Sequence, residues 1–191
     1  MGNVPSFVPK EKSTLVIHPK DKTTTFLELI YQDIKNKTVV TGDLRRSEIL
    51  KLIQEHDRVI MLGHGTPNGL LNLGQFPDSS YVIDKQMVSL LSEKVGNVFI
   101  WCHADEYVER NKLNGFYSGM FISEVSESFA EGLRGIQQDT VTESNLEFSN
   151  CLGQCINEST DTIFDTVIHE YGKLTSTNPV ANVNHRRLYK S

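Results

Sequence analysis

The chain has 191 residues, 38% of them hydrophobic and 23% charged, with 24 acidic residues against 19 lysines and arginines and a formal net charge of −5. That balance is ordinary for one globular domain with a substantial core, and it carries no basic footprint for nucleic acid. No apolar run approaches the ~20 residues that span a bilayer, and the start, MGNVPSFVPKEKS, lacks the apolar stretch of a secretory signal, so a cytoplasmic protein with no membrane contact is expected.

In chain order, residues 1–12 read as a loose N-terminal extension and 13–191 as one domain. The Met1–Ser6 match to a myristoylation pattern is short and non-specific, and the sequons at Asn36 and Asn157 mean little in a protein that is not secreted. The apolar run STLVIHP (13–19), closed by Pro19, predicts a strand. TTTFLELIYQDIK (23–35) has Phe26, Leu27, Ile30 and Ile34 at helical spacing, with Thr25 and Glu28 set as a capping box. TVVTGD (38–43) predicts a second strand, and Asp43 suits the cap of a helix whose Leu44, Ile49, Leu52 and Ile53 share a face. RVIML (58–62) is the third strand; a helix near 84–95 follows, capped by Asp84, and then a fourth strand at NVFIW (97–101).

Continuous apolar strands alternating with helices imply an α/β fold of three layers, a mostly parallel sheet covered on both faces and joined by right-handed crossovers. Beyond Cys102 the rhythm changes. YVERNKLNGFYSG (107–119) reads as a polar loop and MFIS (120–123) as one more short strand. Helices are predicted at 124–133 and across 144–174, the latter capped by Ser144 with Glu147, and NPVANVNHRRLYKS as an irregular tail.

The third and fourth strands end on chemistry. His64 stands between Gly63 and Gly65 just past one strand, and Cys102 stands just past the next. Ligands of open parallel sheets sit beyond the carboxyl ends of the strands. If these two strands are neighbours, ~4.8 Å apart, both side chains reach the same rim. A thiol needs a partner to take its proton, and imidazole titrates in the useful range. The Gly65 and Cys102 amides could then face the oxygen of a tetrahedral intermediate, where one such donor is typically worth ~3 kcal/mol of barrier.

VIMLGHGTPNGLL and NVFIWCHAD together resemble the caspase-like cysteine peptidase superfamily of caspases, metacaspases, legumains and caspase-like CHAT proteins. The first is similar to the Gly-His-Gly segment of metacaspases and the His-Gly-x-x-Gly-Leu-Leu run of legumain-type enzymes, the second to the metacaspase strand that ends at the catalytic cysteine. The likeness covers roughly residues 14–125. It implies a caspase-like fold, with His64 as general base, Cys102 as nucleophile, and Gly65 and Cys102 amides as oxyanion hole. It also implies cleavage of a polypeptide substrate through a thioester, with no cofactor or catalytic metal, and leaves room for a regulatory protein partner. The chain departs from the family at Trp101, where relatives usually carry a small residue, and at Ile100, where metacaspases carry an acidic one. Downstream acids, Asp105 and Glu124 among them, are candidates to bind a basic substrate residue.

Two readings compete with proteolysis: a catalytically inactive caspase-like protein-interaction module, and a thiol hydrolase or transferase acting on a non-peptide substrate. An odd count of three cysteines argues against a disulfide scaffold. Cys151 and Cys155, four apart on a predicted helix, read as buried packing rather than half of a zinc site, which wants about four ligands.

Overall fold

The apolar runs become strands of a mixed sheet. The computed structural model describes residues 12–77 and 79–191, so the expected extension lies, Lys12 apart, outside the described residues. The strands are β1 (Thr14–Ile17), β2 (Lys37–Val40), β3 (Arg58–Leu62), β4 (Gly65–Thr66), β5 (Gly69–Leu71), β6 (Tyr81–Ile83), β7 (Asn97–Ile100), β8 (Gly115–Ser118) and β9 (Leu188–Lys190). The helices are α1 (Glu28–Tyr31), α2 (Arg46–Glu55), α3 (Val88–Ser92), α4 (Ala104–Asn111), α5 (Val125–Ala130), α6 (Gln138–Cys155), α7 (Thr160–Gly172) and α8 (Pro179–His185). Six strands form the central sheet in the order β2-β1-β3-β7-β8-β9, parallel except for β9 against β8. The three short strands β4, β5 and β6 form a separate antiparallel sheet.

Strand parity divides the core in two. Val16, Ile60, Leu62, Val98, Ile100 and Phe116 join one cluster with residues of α1, α6 and α7. Leu15, Ile17, Val59, Met61, Phe99 and Trp101 join the other with residues of α2, α3 and α4 and the small sheet. This is the three-layer α/β arrangement expected of strands that are apolar on both faces. Val59, Ile60, Met61 and Leu62 of β3 are all fully buried, each such side chain contributing about 2 kcal/mol relative to exposure. Among the described residues no helix is long and apolar enough to cross a membrane.

The first four main-sheet strands lie where the sequence predicts them, but the capping details differ. Residues Lys22–Leu27 form a 3-10 turn capped by Asp21, whose carboxylate accepts from the Thr23 amide at 2.7 Å, rather than a helix capped at Thr25. Asp43 takes a left-handed conformation (φ 64°), and α2 begins later, where Glu48 accepts from the Arg45 amide at 2.8 Å. Asp84 does cap, accepting from the Gln86 amide at 2.9 Å.

The second half departs further. The expected polar loop at 107–119 is α4 followed by β8. Ala104, Tyr107 and Val108 occupy one buried stripe of α4 while Glu106, Glu109 and Arg110 face outward, so polarity hides the period in sequence. Gly115 (φ 153°) lets β8 pair with β7, since a Cβ there would lie 2.3 Å from the Asn97 carbonyl oxygen. Residues 120–123 are therefore not a strand; the strand ends at Ser118. Ser144 is no cap: it is buried within α6 and shares a 2.7 Å hydrogen bond with the Tyr171 hydroxyl. The predicted irregular tail holds α8 and β9. Asn178 accepts from the Val180 and Ala181 amides at 3.0 Å each, with Pro179 at the first helical position.

Candidate active site

Register decides what meets at the sheet's rim. β3 and β7 pair in parallel with Ile60 opposite Val98 and Leu62 opposite Ile100. The Gly63 amide adds a last rung to the Ile100 carbonyl at 3.0 Å. Two residues past the last paired position of each strand are His64 and Cys102, so both fall at the same end of the sheet. Parity puts both on the α1/α6 side of the sheet, the side of Leu62 and Ile100. The two line one narrow cleft, of only about 10 Å³, with Phe26, Phe121 and Ser123.

His64 is held by two residues that the sequence reading passed over. Its Nε2 lies 2.7 Å from the Thr23 hydroxyl, which lies 2.5 Å from Asp21 Oδ1. The hydrogen bond from Thr23 is the main cause holding the Asp21 carboxyl below its usual range, so it is ionised at neutral pH. A hydroxyl has one proton to give, and the carboxylate takes it. Thr23 then accepts from His64 Nε2–H, which leaves Nδ1 as the ring nitrogen not engaged in this bond. Nothing in HPKDKTT marks this relay in sequence, because its parts read as a turn after a strand. His18, at the end of β1, is buried with hydrogen bonds to Tyr31 and Thr24, and burial lowers it to about 4, so it stays neutral beside the site.

Cys102 points elsewhere. Its sulfur lies 3.4 Å from the Phe121 carbonyl and 3.9 Å from Glu127 Oε1, and no hydrogen bond joins it to His64. Burial first, and the Glu127 carboxylate second, push the thiol up to about 11. The other oxygen of Glu127 accepts from the Ser123 amide (2.6 Å), the Ser123 hydroxyl (2.9 Å) and the Glu124 amide (3.0 Å), so its charge is fixed in place. Glu127→Gln keeps an acceptor for those donors and removes the charge. We expect alkylation of Cys102 by iodoacetamide at pH 8 to accelerate roughly three- to tenfold, because more thiolate is present. An unchanged rate, followed by mass spectrometry of the modified peptide, would show that the carboxylate does not govern this thiol.

Gly65 and Trp101 are coupled. His64 and Leu71 form a hydrogen-bonded pair of the β4–β5 hairpin, the Leu71 amide donating to His64 at 2.9 Å. Gly65, opposite Leu70, is then the non-bonded pair, and its amide is directed away from β5. A Cβ on Gly65 would fall 2.0 Å from the Trp101 ring. That indole is 1% exposed, donates to the Thr66 carbonyl at 3.2 Å, and packs on Phe99 and Tyr107 on the face of the sheet opposite the cleft. The bulky residue before Cys102 therefore fills the far layer. At Cys102 the chain turns sharply into α4, with His103 left-handed (φ 67°) and the Ala104 amide donating to the Trp101 carbonyl. The His103 ring turns out to Glu106 at 3.1 Å.

The two acids considered for substrate binding are not brought together. Asp105 lies in the first turn of α4 against Gly119; its Oδ1 is buried without a hydrogen-bond partner, and it lines neither the cleft nor the adjoining groove. Glu124 does line that groove, which encloses about 530 Å³ between the 22–27 turn, the start of α5 and α6. Cys151 and Cys155 are buried in α6 and do not line the cleft, and among the described residues no group of three or more His, Cys, Asp or Glu is placed to hold a metal.

No family model, no curated protein and no solved structure matches this chain. The site brings an imidazole bonded to Thr23 and a thiol to one sheet edge, beside a groove of about 530 Å³.

Proposed function

We propose that the protein is a caspase-like cysteine endopeptidase working in the cytoplasm through His64 and Cys102. The observation that supports this reading is that His64 and Cys102, just past the carboxyl ends of the adjacent parallel strands β3 and β7, line one cleft. In the proposed cycle the Cys102 side chain turns from the Phe121 carbonyl toward His64. His64 Nδ1 takes the thiol proton, and the thiolate attacks the scissile carbonyl carbon. The oxygen that gains the electron pair is stabilised by the Gly65 and Cys102 amides. The imidazolium then protonates the leaving amine as the C–N bond breaks, and water activated by His64 cleaves the thioester, releasing the acid and restoring the thiol. Thr23 and Asp21 act as positioning residues, holding the ring in one tautomer.

The resting geometry of the thiol favours a second reading. A sulfur engaged with Phe121 and Glu127 and pushed up to about 11 is what a non-catalytic interaction module of the same fold would carry. A panel of peptidyl acyloxymethyl ketones separates the two. A peptidase is modified at Cys102 alone, and His64→Ala slows that modification on the order of a hundredfold. Labelling that is absent, spread over all three cysteines, or indifferent to His64→Ala would leave the binding module as the better account.

A further inference from the structure

We propose that the groove beside the cleft is a side-chain specificity site in which Asn145 selects a substrate residue with a neutral carboxamide head, glutamine fitting best. The inference deepens the peptidase reading and rests on it for the identity of the ligand as a peptide. The groove and the His64/Cys102 cleft share Phe26 and Ser123, and Thr23, which bonds to His64, lines the groove as well. A chain held across the thiol therefore has a side-chain site of about 530 Å³ directly beside it.

Asn145 gives that site its chemistry. It is 5% exposed, and its Nδ2 donates to the Ser123 carbonyl at 2.9 Å, while its Oδ1 is buried with no hydrogen-bond partner. A buried acceptor without a donor costs free energy, and a ligand N–H that meets it once the Asn145 side chain turns into the groove it lines recovers the loss. Phe26, Leu29 and Leu146 supply apolar wall for a long stem. The charged groups at the groove, Lys22 and Glu124, are one of each sign, so the site does not reward a net charge. A carboxamide satisfies both kinds of group at once: its N–H donates to Asn145 or Glu124, and its oxygen accepts from Lys22. A carboxylate has no donor for Asn145, a thioether has neither donor nor strong acceptor, and a lysine or arginine head gains Glu124 but meets Lys22.

Binding to the full-length Cys102→Ala protein reads this without turnover. The probes are N-acetylated tetrapeptide amide pools, each with one position fixed as Gln, Glu, Met, Lys or Arg, measured by competition against a fluorescent member. We expect Gln pools to bind about tenfold more tightly than Glu or Met pools at one position. Asn145→Leu should erase that advantage and raise Met. Because that variant also loses the bond to Ser123, Asn145→Asp is the companion, with preference expected to move to Lys and Arg. Met equal to Gln, Lys or Arg ahead of Gln in the parent, or no pool bound would each overturn the proposal. Gln selectivity in a protein whose Cys102 form cleaves nothing would sink the peptidase reading and leave this site standing. Cleavage by the Cys102 form without Gln selectivity would sink this site alone.

Discussion

On the proposed peptidase reading, Cys102→Ala is expected to remove peptide hydrolysis from detection while leaving thermal stability within about 1 kcal/mol of the parent. The stability half follows from what the sulfur does at rest. It makes two long, weak contacts, at 3.4 Å and 3.9 Å, and it lines a cleft rather than the packed core. Alanine gives up only those contacts, and because burial pushes the thiol up to about 11 it is neutral at pH 7, so no charge is lost with it. The activity half follows from the absence of a substitute. Cys151 and Cys155 are both buried in α6, so neither can accept the acyl group. Loss of a nucleophile from a comparable hydrolase costs roughly a millionfold in turnover, and what remains comes from binding and oxyanion donors. Fragment release by a peptide library, measured for both proteins at equal concentration alongside a melting curve, checks both halves. Residual turnover within tenfold of the parent would mean that another group does the chemistry.

Much of this site is legible in the sequence, and the parts that are not have definite causes. RVIML and NVFIW announce buried strands by their apolar continuity, and a side chain just past each strand end lands at the functional rim of a parallel sheet. What sequence does not supply is register, and the pairing of Leu62 with Ile100 is what ends the two strands level with each other, with residues 64 and 102 just beyond. Asp21 and Thr23 were hidden because their role depends on a 3-10 turn folding back over the third strand, 41 residues away in sequence at the Thr23–His64 contact. The tail reads as irregular for a different reason: Asn178-Pro179 signals a turn and a helix start equally well, and the buried Val180, Ala181 and Asn184 that choose the helix are satisfied only by tertiary contacts. α4 was lost to its own surface charge.

Gly65→Ala is expected to destabilise the protein by about 3 kcal/mol or more, at the upper end of overpacking costs. The added methyl would meet the Trp101 ring at 2.0 and 2.4 Å and the Gly69 carbonyl oxygen at 2.8 Å. None of these can yield cheaply. The indole is pinned by its hydrogen bond to Thr66 and by Phe99 and Tyr107, and Gly69 belongs to the paired strand of the hairpin. The backbone carrying His64 must therefore lift. The residue keeps its N–H, so a role confined to binding an oxyanion predicts no loss of stability at all. Trp101→Leu opens room for the methyl, and the two changes together should be less damaging than their sum, a favourable coupling between contacting residues. Urea unfolding of the two single variants and the double variant measures that coupling. A Gly65→Ala protein as stable as the parent would show that the glycine answers to the substrate and not to the tryptophan.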